Sequence, residues 1–85
     1  MAKVRIYTTP ACGYCVAAKR FLTTVKHVEY EEIDVAYDPA KRSWLVEVSG
    51  QHTVPQIFVG EKSIGGYTDM RALDAQGQLD PLLQG

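Results

Sequence analysis

Val4 and Ile6 alternate with Lys3, Arg5 and Tyr7, a period of two that predicts a strand over residues 3–8. Thr9-Pro10-Ala11 breaks that pattern. From Gly13 to Val25 the period becomes helical. Tyr14, Ala17, Ala18, Phe21, Leu22 and Val25 fall on one arc of the wheel, and Val16, Lys19, Arg20, Thr23 and His27 on the other. A second strand is expected over residues 29–34. The next helix has a clear start, with Asp38 as N-cap and Pro39 at the first helical position. Trp44, Leu45 and Val48 supply its apolar stripe, and Gly50 is a left-handed cap candidate. Residues 55–59 predict a strand, with Pro55 at its first position, where a missing N–H is tolerated. Gly60-Glu61-Lys62 turns the chain into a short strand at Ser63-Ile64. Gly65-Gly66 forms a loop. Thr68 or Asp69 then caps a helix running to about Gln76, where Gly77 stops it. Leu79, Leu82 and Leu83 form a short helical tail.

The order β-α-β-α-β-β-α, with that tail, predicts an α/β fold. Two βα units favour a parallel pairing of the first two strands, and the hairpin after them favours antiparallel additions. A four-stranded mixed sheet flanked by helices on both faces would bury each apolar stripe. The length of 85 residues leaves room for one domain, spanning residues 1–85, and one modest core.

Composition narrows the function. A net charge of -1 leaves no electrostatic footprint for nucleic acid. The doublets Lys19-Arg20 and Lys41-Arg42 read as solvated helix surface. No apolar run approaches the ~18 residues that span a membrane. The alternating charges near Met1 contain no signal-peptide core, so a cytoplasmic protein is expected. The chain has two cysteines and two histidines, His27 and His52, at spacings that match no zinc pattern. In a reducing compartment, such a close cysteine pair points to redox or metal chemistry rather than to a structural staple.

Cys12-Gly13-Tyr14-Cys15 lies at the first strand-to-helix junction. Disulfide exchange needs a thiolate, and a free cysteine with a pKa of ~8.5 is mostly protonated at neutral pH. Unpaired N–H groups and the positive end of the helix dipole point toward Cys12 and favour its anion. Cys12 is therefore expected to attack with a lowered pKa. Cys15, one turn further in, is expected to resolve the mixed disulfide.

Three segments together resemble the glutaredoxin family: Tyr7-Thr8 ahead of the Cys12–Cys15 motif, Thr53-Val54-Pro55-Gln56-Ile57-Phe58, and Ile64-Gly65-Gly66-Tyr67-Thr68-Asp69. The similarity runs over essentially the whole chain and is greatest to short bacterial dithiol members. It implies a thioredoxin-like fold and a glutathione-dependent thiol–disulfide oxidoreductase. It implies a cis bond before Pro55, Thr53 and Pro55 among the glutathione-binding residues, and a Val54 whose backbone N–H and C=O pair with the cysteine of glutathione. Thr68 and Asp69 would hold the γ-glutamyl end, Asp69 taking the ammonium and the helix N–H groups the carboxylate. Both residues also fit ordinary helix capping. Gly66 would permit close backbone approach, Arg42 would meet the glycine carboxylate, and Tyr14 would flank the site.

The sequence departs from the family at two positions. Gly13 stands where many members carry proline, and Thr9 where many carry lysine. Without that lysine, a less depressed Cys12 pKa and weaker glutathione binding are expected. Some members lacking the proline hold a [2Fe–2S] cluster between two protomers, with Cys12 as this chain's ligand and glutathione supplying further thiolates. The resemblance thus implies glutathione and disulfide-bearing or glutathionylated proteins as partners, no nucleic acid or membrane, and a monomer that dimerises only around a cluster. Service by thioredoxin reductase is the remaining alternative. Ala11 and Tyr14 fit it poorly, as does the Thr68-Asp69 pair.

Overall fold

The computed structural model describes residues 2–84. Its elements are β1 (Val4–Thr8), α1 (Gly13–Arg20), β2 (Glu31–Asp34), α2 (Pro39–Ser49), β3 (Gln56–Val59), β4 (Lys62–Gly65), α3 (Tyr67–Ala75) and α4 (Leu79–Gln84). The sheet order is β2-β1-β3-β4. β1 and β2 are parallel; β1–β3 and β3–β4 are antiparallel, with a bulge at Ile57/Phe58. This is the mixed sheet that the element order predicts.

Both faces of the sheet are covered. Val4, Ile6, Ile57 and Val59 face α1, α3 and α4, where Ala18, Phe21, Leu22, Met70, Leu79 and Leu83 close the larger core. Tyr7 and Phe58 point the other way and pack with Val35 and Leu45 of the α2 side. The alternation along β1 therefore separates two buried layers, and Tyr7 belongs to the second of them rather than to solvent. Burying a side chain such as Ile6, Leu22 or Ile57 stabilises by ~1.5–3 kcal/mol. An exposed ion pair such as Lys3–Glu31 contributes ~0–1 kcal/mol. The core therefore dominates.

The helices depart from expectation in three places. After Arg20 the chain continues as a π-helical turn, Phe21–Val25, in which the Lys26 N–H reaches back to the Phe21 carbonyl. The Thr24 hydroxyl donates to the Arg20 carbonyl at 2.7 Å within this turn. The wider turn shifts the helical phase, so Val25, placed by a regular wheel on the buried arc, is 55% exposed. On α2, Asp38 caps as expected, accepting from the Lys41 N–H at 3.0 Å, and Gly50 ends the helix at φ 73°. Only Leu45 of its stripe is buried; Trp44 and Val48 are exposed. Trp44 instead lays its ring against Phe58, with centroids 6.0 Å apart. One helix on a narrow four-stranded face has room for a single deep anchor. On α3 the N-cap is Gly66, ahead of both predicted caps. Thr68 lies in the first turn. Asp69 acts from three residues in, its Oδ2 accepting from the Gly66 N–H at 2.9 Å.

Lys26 joins the ends of three helical segments, pairing with Asp74 and, at 2.9 Å, with Asp80.

Gly13 opens α1, and a Cβ there would meet nothing within 4 Å. Cys12 before it is extended (φ -111°, ψ 109°), the conformation a following proline requires. Gly13→Pro is therefore expected to stabilise the fold by about 0.4–1 kcal/mol through the unfolded chain, as a higher midpoint in chemical denaturation.

Candidate active site

Cys12 is the N-cap of α1, where its sulfur accepts the Cys15 N–H at 3.2 Å. The same sulfur lies 3.7 Å from the Val54 carbonyl oxygen, to which its thiol donates. Cys12 is half-buried and Cys15 is buried, and both are free thiols. Burial, and then the hydrogen bond shared with Cys12, push the Cys15 thiol up to about 12. A backbone hydrogen bond from Thr9 and the charge of Lys19 act against them. The two sulfurs are thus sorted by environment, one reachable from solvent and one buried and held protonated.

Two grooves lie beside the cysteine pair, one lined by Val54, the hydrogen-bond partner of Cys12, and one by Cys12 itself. The first has a volume of about 440 Å³. Tyr14, Thr53, Val54, Pro55, Gly66, Thr68 and Asp69 all line it, so seven of the predicted contact residues converge on one surface. The Val54–Pro55 bond is cis. The eighth, Arg42, stands outside the groove wall on α2, its Nη2 donating to the His52 carbonyl at 3.4 Å, next to Thr53. Tyr14 is 63% exposed and tilts against Tyr67, with ring centroids 6.2 Å apart. A side chain at Gly65 (φ 96°) would place its Cβ 2.8 Å from Asp69 Cγ, so glycine there lets the α3 start fold against the strand end.

The second groove, of about 460 Å³, includes Cys12 and Cys15 together with Lys19 and Glu32. Glu32 accepts from the Lys19 ammonium at 2.9 Å and from the Thr8 hydroxyl at 2.9 Å. Lys19 first, and then Thr8, hold the Glu32 carboxyl below its usual range. Thr9 and Gly13, the two departures from the family pattern, both line this groove rather than the first.

Sequence reasoning missed Gln51 and Tyr67, which also line the first groove. It missed the Lys19–Glu32 pair as well. No local pattern marks Gln51. Tyr67 stands inside a quoted motif without a role assigned to it, and Lys19 lies four residues after Cys15, on the same helix face, which is the signal available for it.

An N-capping cysteine with a buried partner one turn inside, on a four-stranded mixed sheet with helices on both faces, defines a thiol–disulfide oxidoreductase of the thioredoxin-like fold. The Glutaredoxin family model matches residues 4–64. Glutaredoxin 3 of Escherichia coli K12 is 48% identical over 84 residues, covering 99% of this chain and 100% of the relative. A glutaredoxin of Neisseria meningitidis is 43% identical over 83 residues, covering 98% of each chain. The solution structure of glutaredoxin from Brucella melitensis superposes with a TM-score of 0.85 at 46% identity, over 98% of this chain and 89% of that one. A buckwheat glutaredoxin–glutathione complex gives 0.89 at 28% identity, over 98% and 77%. The chain belongs to the glutaredoxin family.

Two outcomes follow from the state of Cys15. Native protein treated with iodoacetamide near neutral pH is expected to gain one adduct, on Cys12, and a second only after unfolding, as read by mass spectrometry. The fold also retains the Cys15 proton beyond the thiol's ordinary 9.0. Its contribution to stability is therefore complete below that value and declines as pH rises toward about 12. Denaturation midpoints are expected to fall less steeply over that alkaline range in Cys15→Ser.

Proposed function

We propose that this chain reduces protein disulfides and protein–glutathione mixed disulfides with electrons from glutathione. The observation that carries the reading is the contact between the Cys12 sulfur and Val54, which lines the same groove as Asp69 and the start of α3. A tripeptide thiol lying along that groove would bring its sulfur to Cys12 and its γ-glutamyl end to a carboxylate and unpaired helix N–H groups.

In the monothiol route the Cys12 thiolate attacks the glutathione sulfur of a mixed disulfide. A Cys12–glutathione bond forms, the original S–S bond breaks, and the target leaves as a thiolate that takes up a proton. A second glutathione thiolate then attacks the bound glutathione sulfur. Glutathione disulfide departs and the Cys12 thiolate is restored. In the dithiol route Cys12 attacks a protein disulfide, and Cys15 loses its proton and attacks the Cys12 sulfur. The target is released reduced, and two glutathiones reopen the Cys12–Cys15 bond. Burial of Cys15 disfavours the thiolate that this second attack needs.

Within this reading Thr53 and Val54 present backbone to the glutathione cysteine, Pro55 and Tyr14 wall the groove, and Gly66 allows close approach. Thr68 and Asp69 take the γ-glutamyl end, and Arg42 meets the glycine carboxylate from outside the wall. Thr9 supplies no cation, so glutathione binds more weakly than in lysine-bearing relatives. The working form is a monomer, in the reducing cytoplasm where glutathione returns both cysteines to thiols.

A bridging iron–sulfur cluster asks for four thiolates. One chain offers one reachable sulfur, Cys12, and among the described residues no group of three or more His, Cys, Asp or Glu side chains is placed to hold a metal. A single chain thus supplies one of the four thiolates, Cys12, and a second protomer and two glutathiones would have to supply the rest.

The test is NADPH consumption with glutathione, glutathione reductase and a small glutathione mixed disulfide. Cys12→Ser is expected to abolish turnover, and Cys15→Ser to retain it. An inactive wild-type protein would overturn the reading.

A further inference from the structure

Gln56 is polar yet wholly buried in β3. Its Nε2 donates to the Thr53 carbonyl at 2.9 Å and to Gln51 Oε1 at 2.8 Å. The Thr53 carbonyl sets this orientation, because a flipped Gln56 would turn its oxygen onto that carbonyl, which can only accept. Gln56 Oε1 is left buried without a partner, which is the cost of the arrangement. With its own oxygen occupied, Gln51 must turn its nitrogen the other way. That Nε2 donates to Asp69 Oδ2 at 3.3 Å. The Gly66 N–H donates to the same oxygen at 2.9 Å. A relay of fixed polarity therefore runs from the interior to the groove, where Gln51 and Asp69 both form the wall.

Two donors on one oxygen pin the rotation of the Asp69 carboxylate. A pinned carboxylate receives a cation without first losing rotational freedom. We propose that Gln51, its orientation set by Gln56, is a positioning residue that holds Asp69 ready for the α-ammonium of the γ-glutamyl group and so selects ligands carrying that amine. This rests on the glutathione reading above. Gln56 acts through Gln51, and Gln51 through Asp69. A purely structural role for the pair would weaken every substrate alike. The positioning role weakens only substrates that carry the ammonium.

The experiment is single-turnover transfer to Cys12 in a Cys15→Ser background. Two disulfides of thionitrobenzoate are compared, one with glutathione and one with glutaryl-cysteinyl-glycine, which lacks the amine. Release of the coloured thiol gives a half-saturating concentration and a limiting rate for each. Gln51→Ala is expected to raise the half-saturating concentration for the glutathione disulfide about fivefold to tenfold at an unchanged limiting rate. It is expected to leave the des-amino disulfide within about twofold. Gln56→Leu is expected to repeat this selective loss; should it fail to fold, Gln51→Ala at its half-buried position decides alone. An equal loss on both substrates, or none on either, overturns the proposal. If the parent protein itself does not prefer the glutathione disulfide over the des-amino one, Asp69 does not read the amine. The glutathione reading then fails at that residue, irrespective of Gln51.

Discussion

The hydrogen bond from the Cys15 N–H to the Cys12 sulfur joins fold and chemistry in one contact. A helix start leaves N–H groups without partners, and a short polar side chain normally satisfies one of them. Here a sulfur does so. The cap must therefore stand at the strand–helix junction, and its neighbour one turn on must turn inward. The same turn that exposes Cys12 buries Cys15. β1 fixes where this happens, because its end lies between the parallel partner β2 and the antiparallel partner β3. The approach of Val54 to Cys12 then brings the entrance of β3 against the sulfur.

The segment from Gln51 to Gln56 shows how little freedom that arrangement leaves. Thr53 and Val54 face the groove, while Gln56 is wholly buried. A buried carboxamide needs partners, and the nearest are backbone and side-chain atoms of the same segment. Satisfying the interior thus orders the surface. A comparable economy holds at α3, where Asp69 closes the helix start against Gly66 and also walls the groove.

Stability is drawn from two thin layers of apolar side chains rather than from charge. The larger layer carries three helices and the smaller carries one. On the smaller side Trp44, Tyr7 and Phe58 gather as tilted and stacked rings at 5.4–6.0 Å, which extends a core too small to bury the tryptophan fully. The Lys19–Glu32–Thr8 group is different in kind. It lies beside the cysteines in the second groove, and the Lys19 charge bears on Cys15.

The local features were legible in the chain itself. Alternation marked β1, Asp38-Pro39 marked the start of α2, and the strand–helix position of Cys12-Gly13-Tyr14-Cys15 marked the candidate nucleophile. Each depends on residues within a turn or two of one another, where spacing and capping chemistry determine the outcome. The mixed pairing of the strands followed from element order; the place of β1 between β2 and β3 did not. Other features depended on contacts between distant segments. A regular wheel could not foresee the π-helical turn that sends Val25 to solvent. Nor could it foresee that a four-stranded face takes only Leu45 from the α2 stripe. The α3 cap moved to Gly66 because Asp69 satisfies that N–H from three residues ahead. The Gln56–Gln51–Asp69 relay joins residues up to 18 apart in sequence. By itself the sequence determined which residues could do chemistry and where α1 and α2 begin. Only the tertiary structure decided how deeply Cys15 is buried, which glutamine is buried and which way its amide points, because burial and hydrogen-bond partners are properties of the packed chain.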